Sequence, residues 1–112
     1  MKTISADQVR EMRKADPRTV VIDTLSRESY EKHHIPGALH VPGNQPSFAN
    51  SVGEVVQTRH DPVIVYCADE QCNLSPTAAK ALESAGYTNV FDFEGGLDEW
   101  RRAGLGLVGS EA

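Results

Sequence analysis

Apolar residues in this chain fall into short runs bounded by turn residues. Thr19-Val20-Val21-Ile22-Asp23 carries its apolar residues without alternation, as a strand covered on both faces does. Val63-Ile64-Val65-Tyr66-Cys67 is the clearest strand, Asn89-Val90-Phe91-Asp92-Phe93 is another, and Leu39-His40-Val41 is a short one. Between them the pattern turns helical. Ser5 is placed to cap a helix from Ala6 to about Lys14, with Val9 and Met12 on one face and Asp16-Pro17 at its end. Arg27 to Lys32 predicts a short helix, and Phe48 to Thr58 a longer one that Gly53 weakens. Ser75 as N-cap and Pro76 at the first helical position open a helix that runs from Thr77 to Ser84 and stops at Gly86. After a Gly95-Gly96 turn, where glycine supplies backbone conformations closed to other residues, Leu97 to Arg102 reads as a last short helix ended by Gly104. Segments 33–38, 42–47 and 69–74 read as loops.

Strands that alternate with helices imply an α/β sandwich with a mostly parallel sheet. Ligand sites in such sheets lie beyond the carboxyl ends of the strands. Cys67 stands at one of those ends.

Composition narrows the function classes. A length of 112 residues suits one hydrophobic core and is too short for two. The expectation is one unit over 1–112 with its core at about 4–105. A formal net charge of -5 without any basic cluster argues against nucleic acid as a partner. No apolar stretch approaches the ~20 residues of a membrane span, and the first residues lack the apolar run of a signal peptide. Two cysteines close in sequence are not the framework of a disulfide-stapled secreted domain. The expected setting is the cytoplasm, with thiols reduced.

The strand ending at Cys67, the loop after it and the helix start at Ser75-Pro76 form the stretch richest in chemistry. A cysteine in front of a helix N-terminus meets unpaired N–H groups and the positive end of the helix dipole, which favour the reactive thiolate. A loop wrapped around the sulfur would aim backbone N–H groups at an anion or at the outer sulfur of a persulfide. On the residues alone, a second reading stands beside this one: a small, buried, inert strand-end cysteine.

Three segments then resemble the rhodanese family. Val21-Ile22-Asp23 followed by Tyr30-Glu31-Lys32-His33-His34-Ile35-Pro36-Gly37-Ala38-Leu39-His40-Val41-Pro42 resembles its first signature. Val65-Tyr66-Cys67 resembles its active-site strand and cysteine. Gly86-Tyr87-Thr88-Asn89-Val90 with Glu94-Gly95-Gly96-Leu97-Asp98-Glu99-Trp100 resembles its closing signature. The resemblance implies a rhodanese-like sandwich, with a five-stranded mostly parallel sheet flanked by helices. It also implies sulfur transfer through a cysteine persulfide on Cys67. The active-site loop would then comprise Ala68, Asp69, Glu70, Gln71, Asn73, Leu74 and Ser75, with no cofactor and no metal. Asp23 and His34 would be structural residues near the site, and Trp100 and Tyr87 core. Cys72 stays open between alternative nucleophile, resolving thiol and bystander.

The chain departs from the family pattern in ways that bear on the substrate. Asp23-Thr24-Leu25 replaces Asp-Val-Arg, leaving Arg27 as a shifted substitute, and His33 replaces a glycine. The loop from Cys67 to Ser75 is long and lacks arginine, and it carries Asp69 and Glu70. Two carboxylates repel a doubly charged anion such as thiosulfate. A small sulfur donor of lower charge, or a persulfide-donating protein, and a thiol acceptor are the expected partners.

Other classes are separated by single features. Phosphoryl transfer at cysteine would want an arginine six positions on, where Asn73 stands; no Arg or Lys occurs between Cys67 and Lys80. The resemblance also admits a non-catalytic rhodanese-like interaction module; such modules often lack the cysteine, and here Cys67 is present. A dithiol redox protein would use both cysteines, at a spacing wider than Cys-x-x-Cys. The expected geometry is a loop wrapped around Cys67 with Cys72 on its rim.

Overall fold

The computed structural model covers residues 1–112. Five strands, β1 (Lys2–Thr3), β2 (Val20–Asp23), β3 (Leu39–His40), β4 (Val63–Tyr66) and β5 (Val90–Phe93), form one parallel sheet in the order β1-β5-β4-β2-β3. Helices α1 (Ala6–Ala15), α2 (Arg27–Lys32), α3 (Phe48–Gly53), α4 (Leu74–Ser84) and α5 (Gly96–Arg102) connect and flank it.

β4 is central because all of it is apolar enough to be covered twice. Val63, Ile64, Val65 and Tyr66 are each 0% exposed. Val63 and Val65 join Ile22, Val52, Ala78, Ala79 and Leu82 on the side of α3 and α4. Ile64 and Tyr66 join Val9, Ile35, Phe93 and Trp100 on the opposite side. Each such aliphatic side chain contributes roughly 1.5–3 kcal/mol of burial. Alternation along β4 therefore selects which core a residue feeds, not whether it is buried.

α1 begins as its sequence requires. Ser5 Oγ accepts the Gln8 N–H at 3.2 Å and Gln8 Oε1 accepts the Ser5 N–H at 2.8 Å, a reciprocal cap. Glu99 of α5 accepts the Ala6 N–H at 2.6 Å, so a second unpaired donor of that helix end is met from across the fold.

One strand goes unread in the sequence, and two expectations need correction. β1 escapes the apolar pattern, since Lys2 and Thr3 are exposed and pair only because the β5 edge is there, Lys2 opposite Phe91. α3 stops at Gly53 instead of reaching Thr58. Glycine weakens the helix, and beyond it Val56 turns into the core at 7% exposure. Asp61 then closes the loop, accepting from the Thr58 N–H at 3.2 Å and the Thr58 hydroxyl at 2.9 Å. α4 opens at Leu74, with Asn73 at its cap position, so Leu74 and Ser75 belong to the helix and not to the loop. Pro76 falls in the first turn, where a missing N–H costs nothing.

The chain beyond residue 105 also contributes. Trp100 Nε1 donates to the Gly106 carbonyl at 2.9 Å, and Val108 pairs with His34 through two backbone hydrogen bonds. No helix is long and apolar enough to cross a membrane.

Candidate active site

Cys67 follows β4 directly and is 0% exposed. Its position is held from α5. The Leu97 N–H donates to the Cys67 carbonyl at 3.1 Å and the Asp98 N–H to the Ala68 carbonyl at 3.0 Å. That approach requires Gly96, whose φ is +54° and where any Cβ would run into the Cys67 carbonyl. The closing Gly-Gly pair thus lets the start of α5 clamp the backbone on which the cysteine sits.

The loop then doubles back. Asp69 Oδ1 accepts the Gln71 N–H at 3.0 Å and the Asp69 carbonyl accepts the Cys72 N–H at 3.2 Å. Asp69 is therefore a turn former. The turn brings the Cα atoms of Cys67 and Cys72 to 6.3 Å, and the two sulfurs are joined in a disulfide. Instead of a wrapped loop with Cys72 on its rim, the structure has a tight turn with the two cysteines bonded. Cys72 is half-buried, as are Ala68, Asp69 and Leu74, while Glu70, Gln71 and Asn73 are exposed.

Ser75 lies in the first turn of α4, 1% exposed, and its hydroxyl is 3.4 Å from Cys67 Sγ. Sγ carries no proton in the disulfide and can only accept, so it competes with Asp92 for the one hydroxyl proton. Behind it stands Asp92 of β5, 2% exposed, with Oδ1 lacking any hydrogen-bond partner. Burial pushes the Asp92 carboxyl above the usual carboxylate range; the Ser75 hydroxyl offsets part of this, and Glu94 adds to the rise. Sequence reading places Asp92 only within a strand. Its register opposite Val65, two residues before Cys67, brings it to the site.

Asp23 and His34 serve the loops around the strand end; Asp23 stands in register with Tyr66, the residue before Cys67. Asp23 is 0% exposed; its Oδ2 accepts the Tyr66 hydroxyl at 2.7 Å and its Oδ1 the Leu25 N–H at 2.9 Å. The Tyr66 oxygen also accepts the Ile35 N–H at 3.1 Å. Burial raises the Asp23 carboxyl, against the pull of the Tyr66 and Leu25 bonds, and burial also raises the Tyr66 phenol. His34 stacks on Tyr30 at 3.8 Å, with Nδ1 2.6 Å from the Tyr30 carbonyl. None of these bonds reaches Cys67, Cys72 or Ser75. Arg27 pairs with Glu31 at 3.5 Å along α2.

Outside the disulfide, a cleft of about 300 Å³ is lined by Asp69, Glu70, Asp98 and Glu99, with Arg102 at its side. Arg102 is 3.3 Å from Asp98, which leaves the cleft acidic on balance. Asp98 and Glu99 join the loop carboxylates only through the fold. No group of three or more His, Cys, Asp or Glu side chains is placed to hold a metal ion.

The rhodanese-like domain family matches residues 5–103. A thiosulfate sulfurtransferase, GlpE, of Pseudomonas syringae is 28% identical over 100 residues, covering 89% of this chain and 87% of that protein. The uncharacterized protein YibN of Escherichia coli is 34% identical over 89 residues, covering 80% of this chain and 60% of that one. Other relatives are longer: the chain spans 35% of an HTH-type transcriptional regulator of Mycobacterium tuberculosis and 19% of an adenylyltransferase and sulfurtransferase of Candida albicans. Among solved structures, the BH2092 protein of Bacillus halodurans superposes with a TM-score of 0.83 at 25% identity, over 98% of this chain and 78% of that one. A thiosulfate sulfurtransferase of Pseudomonas aeruginosa gives 0.81 at 26% identity, over 97% of this chain and 20% of that one.

Proposed function

We propose that this chain, which belongs to the rhodanese-like domain family, is a sulfurtransferase that carries sulfane sulfur as a persulfide on Cys67. The observation that carries this reading is the cysteine itself: it directly follows the central strand, lies ahead of α4 and has the Ser75 hydroxyl at its sulfur. The names of the relatives from Pseudomonas and Candida support the same chemistry. In the reduced protein the Cys67 thiolate attacks the outer sulfur of a persulfide donor, and the donor thiolate leaves. An acceptor thiolate then attacks the outer sulfur on Cys67, and the Cys67 thiolate leaves. Ser75 donates to the anionic sulfur in both steps.

The acidic cleft at the loop disfavours a dianionic donor and suits a persulfide, carried by a small molecule or by a protein, with a thiol as acceptor. Residues 1–112 act as one unit in this reading, working in the cytoplasm, where thiols are kept reduced. Neither a cofactor nor a metal takes part. The test is intact mass after reduction and exposure to a persulfide donor or to thiosulfate. A gain of one sulfur atom that a thiol removes is expected from the persulfide donor in Cys72→Ser, mapped to Cys67, and none in Cys67→Ser. Loading that survives Cys67→Ser and vanishes in Cys72→Ser would assign the nucleophile to Cys72. No loading in any form would end the enzymatic reading.

A further inference from the structure

The two bonded sulfurs differ in access. Cys67 is 0% exposed and sits beneath Ser75, whereas Cys72 is half-buried on the outer turn of the loop. The pair is 6.3 Å apart at Cα, inside the range of about 4.4–6.8 Å that a disulfide spans. The turn made by Asp69 sets that approach from its own backbone and side chain. Cys72 therefore reaches the Cys67 sulfur without a partner molecule.

From this we infer that Cys72 gives the protein a second activity, the reductive release of the carried sulfur as sulfide. The inference rests on the reading of Cys67 as the persulfide carrier. In the step, the Cys72 thiolate attacks Sγ of the Cys67 persulfide. A sulfur–sulfur bond forms between the two cysteines, the bond to the outer sulfur breaks, and that sulfur departs as hydrosulfide with the proton of the persulfide. The two electrons that reduce it come from the cysteine pair, which ends as the disulfide.

Recovery needs two reducing equivalents from an external thiol or dithiol. Attack by that thiol is directed by access. The more accessible sulfur, on Cys72, is attacked; Cys67 leaves as thiolate under the Ser75 hydroxyl, and a mixed disulfide forms on Cys72. A second thiol clears it. An acceptor thiol and Cys72 thus compete for the persulfide, and the outcome decides between transfer and release.

The experiment uses the full chain, reduced, loaded with a persulfide donor and freed of excess donor. The wild type is expected to release one sulfide per loaded chain without added thiol and to end as the Cys67–Cys72 disulfide by peptide mapping. Without added thiol, Cys72→Ser is expected to hold its persulfide and to release sulfide at least ten times more slowly than the wild type. Wild-type persulfide as long-lived as that of Cys72→Ser would overturn the inference while leaving the carrier reading intact. A Cys67 that never loads would sink both. In a second arm the oxidised chain meets a limiting small thiol and is quenched by alkylation. The mixed disulfide is expected on Cys72 and the alkyl group on Cys67; the reverse pattern would overturn the proposed order of opening.

Discussion

Two buried aspartates stand on the strands either side of β4, near their carboxyl ends, and they have opposite fates. Asp23 on β2 has both oxygens occupied, one by the Tyr66 hydroxyl and one by the Leu25 N–H. Asp92 on β5 keeps Oδ1 unpaired, close to the Ser75 hydroxyl that faces the Cys67 sulfur. Burial raises both carboxyls, but only Asp23 has full hydrogen bonding to justify its place. A buried polar group without a partner costs about 1–3 kcal/mol. The contrast teaches that one side of β4 uses its polar groups to hold the loops together, and the other keeps a stressed polar strip beside the cysteine.

The largest effect expected on this contrast comes from Asp23→Ala. It removes two hydrogen bonds and strands the buried Tyr66 hydroxyl, a loss of about 3 kcal/mol. Urea unfolding should show it as a lower midpoint at unchanged slope, and thermal unfolding as a drop of roughly 15 °C. A loss under about 1 kcal/mol would mean that the Tyr66–Asp23 bond is not structural.

Ser75→Ala should act on chemistry instead. Losing the donor to the Cys67 thiolate costs about 1.4 kcal/mol, so alkylation of reduced Cys67 near neutral pH should slow about ten-fold. Stability should change far less than in Asp23→Ala. An unchanged alkylation rate would show that Ser75 merely fills space.

Asp92→Asn reverses the sign seen at Asp23. The folded protein holds the Asp92 proton more tightly than the unfolded chain, because its carboxyl is raised. That contribution is complete below the ordinary carboxylate range and is lost as pH rises through the folded value. The amide variant should therefore gain about 1 kcal/mol near neutral pH and little in mild acid. Urea titrations across that range should show a shallower fall with pH. Equal slopes for both proteins would mean that Asp92 is ionised and satisfied.

The smallest effect belongs to the acidic rim of the loop. Asp69→Asn with Glu70→Gln should raise turnover of thiosulfate by about five-fold, from a screened repulsion of about 1 kcal/mol. The gain should shrink in high salt. Because Asp69 Oδ1 also accepts the Gln71 N–H, the Glu70 change alone separates charge from turn geometry. No gain in either salt regime would show that donor charge is not what the loop reads.

The α/β order, the β4 strand, the place of Cys67 at its end and the need for glycine at Gly96 were all legible in the sequence; that β4 is central was not. The legible features are local: unbroken apolar runs, turn residues and a cysteine next to a helix start. What tertiary structure alone decided is non-local. Lys2 and Thr3 became a strand because β5 presented an edge to them. Ser75, which reads as a helix cap, turned inward because docking of α4 against β4 and β5 put sulfur and carboxylate within its reach. Asp92 met the site through a register between strands that a whole helix separates in the chain, and Tyr66 found Asp23 in the same way. Apolar pattern specifies which faces are covered, but which polar groups meet beneath that cover depends on register and helix docking, and neither is written in any one segment.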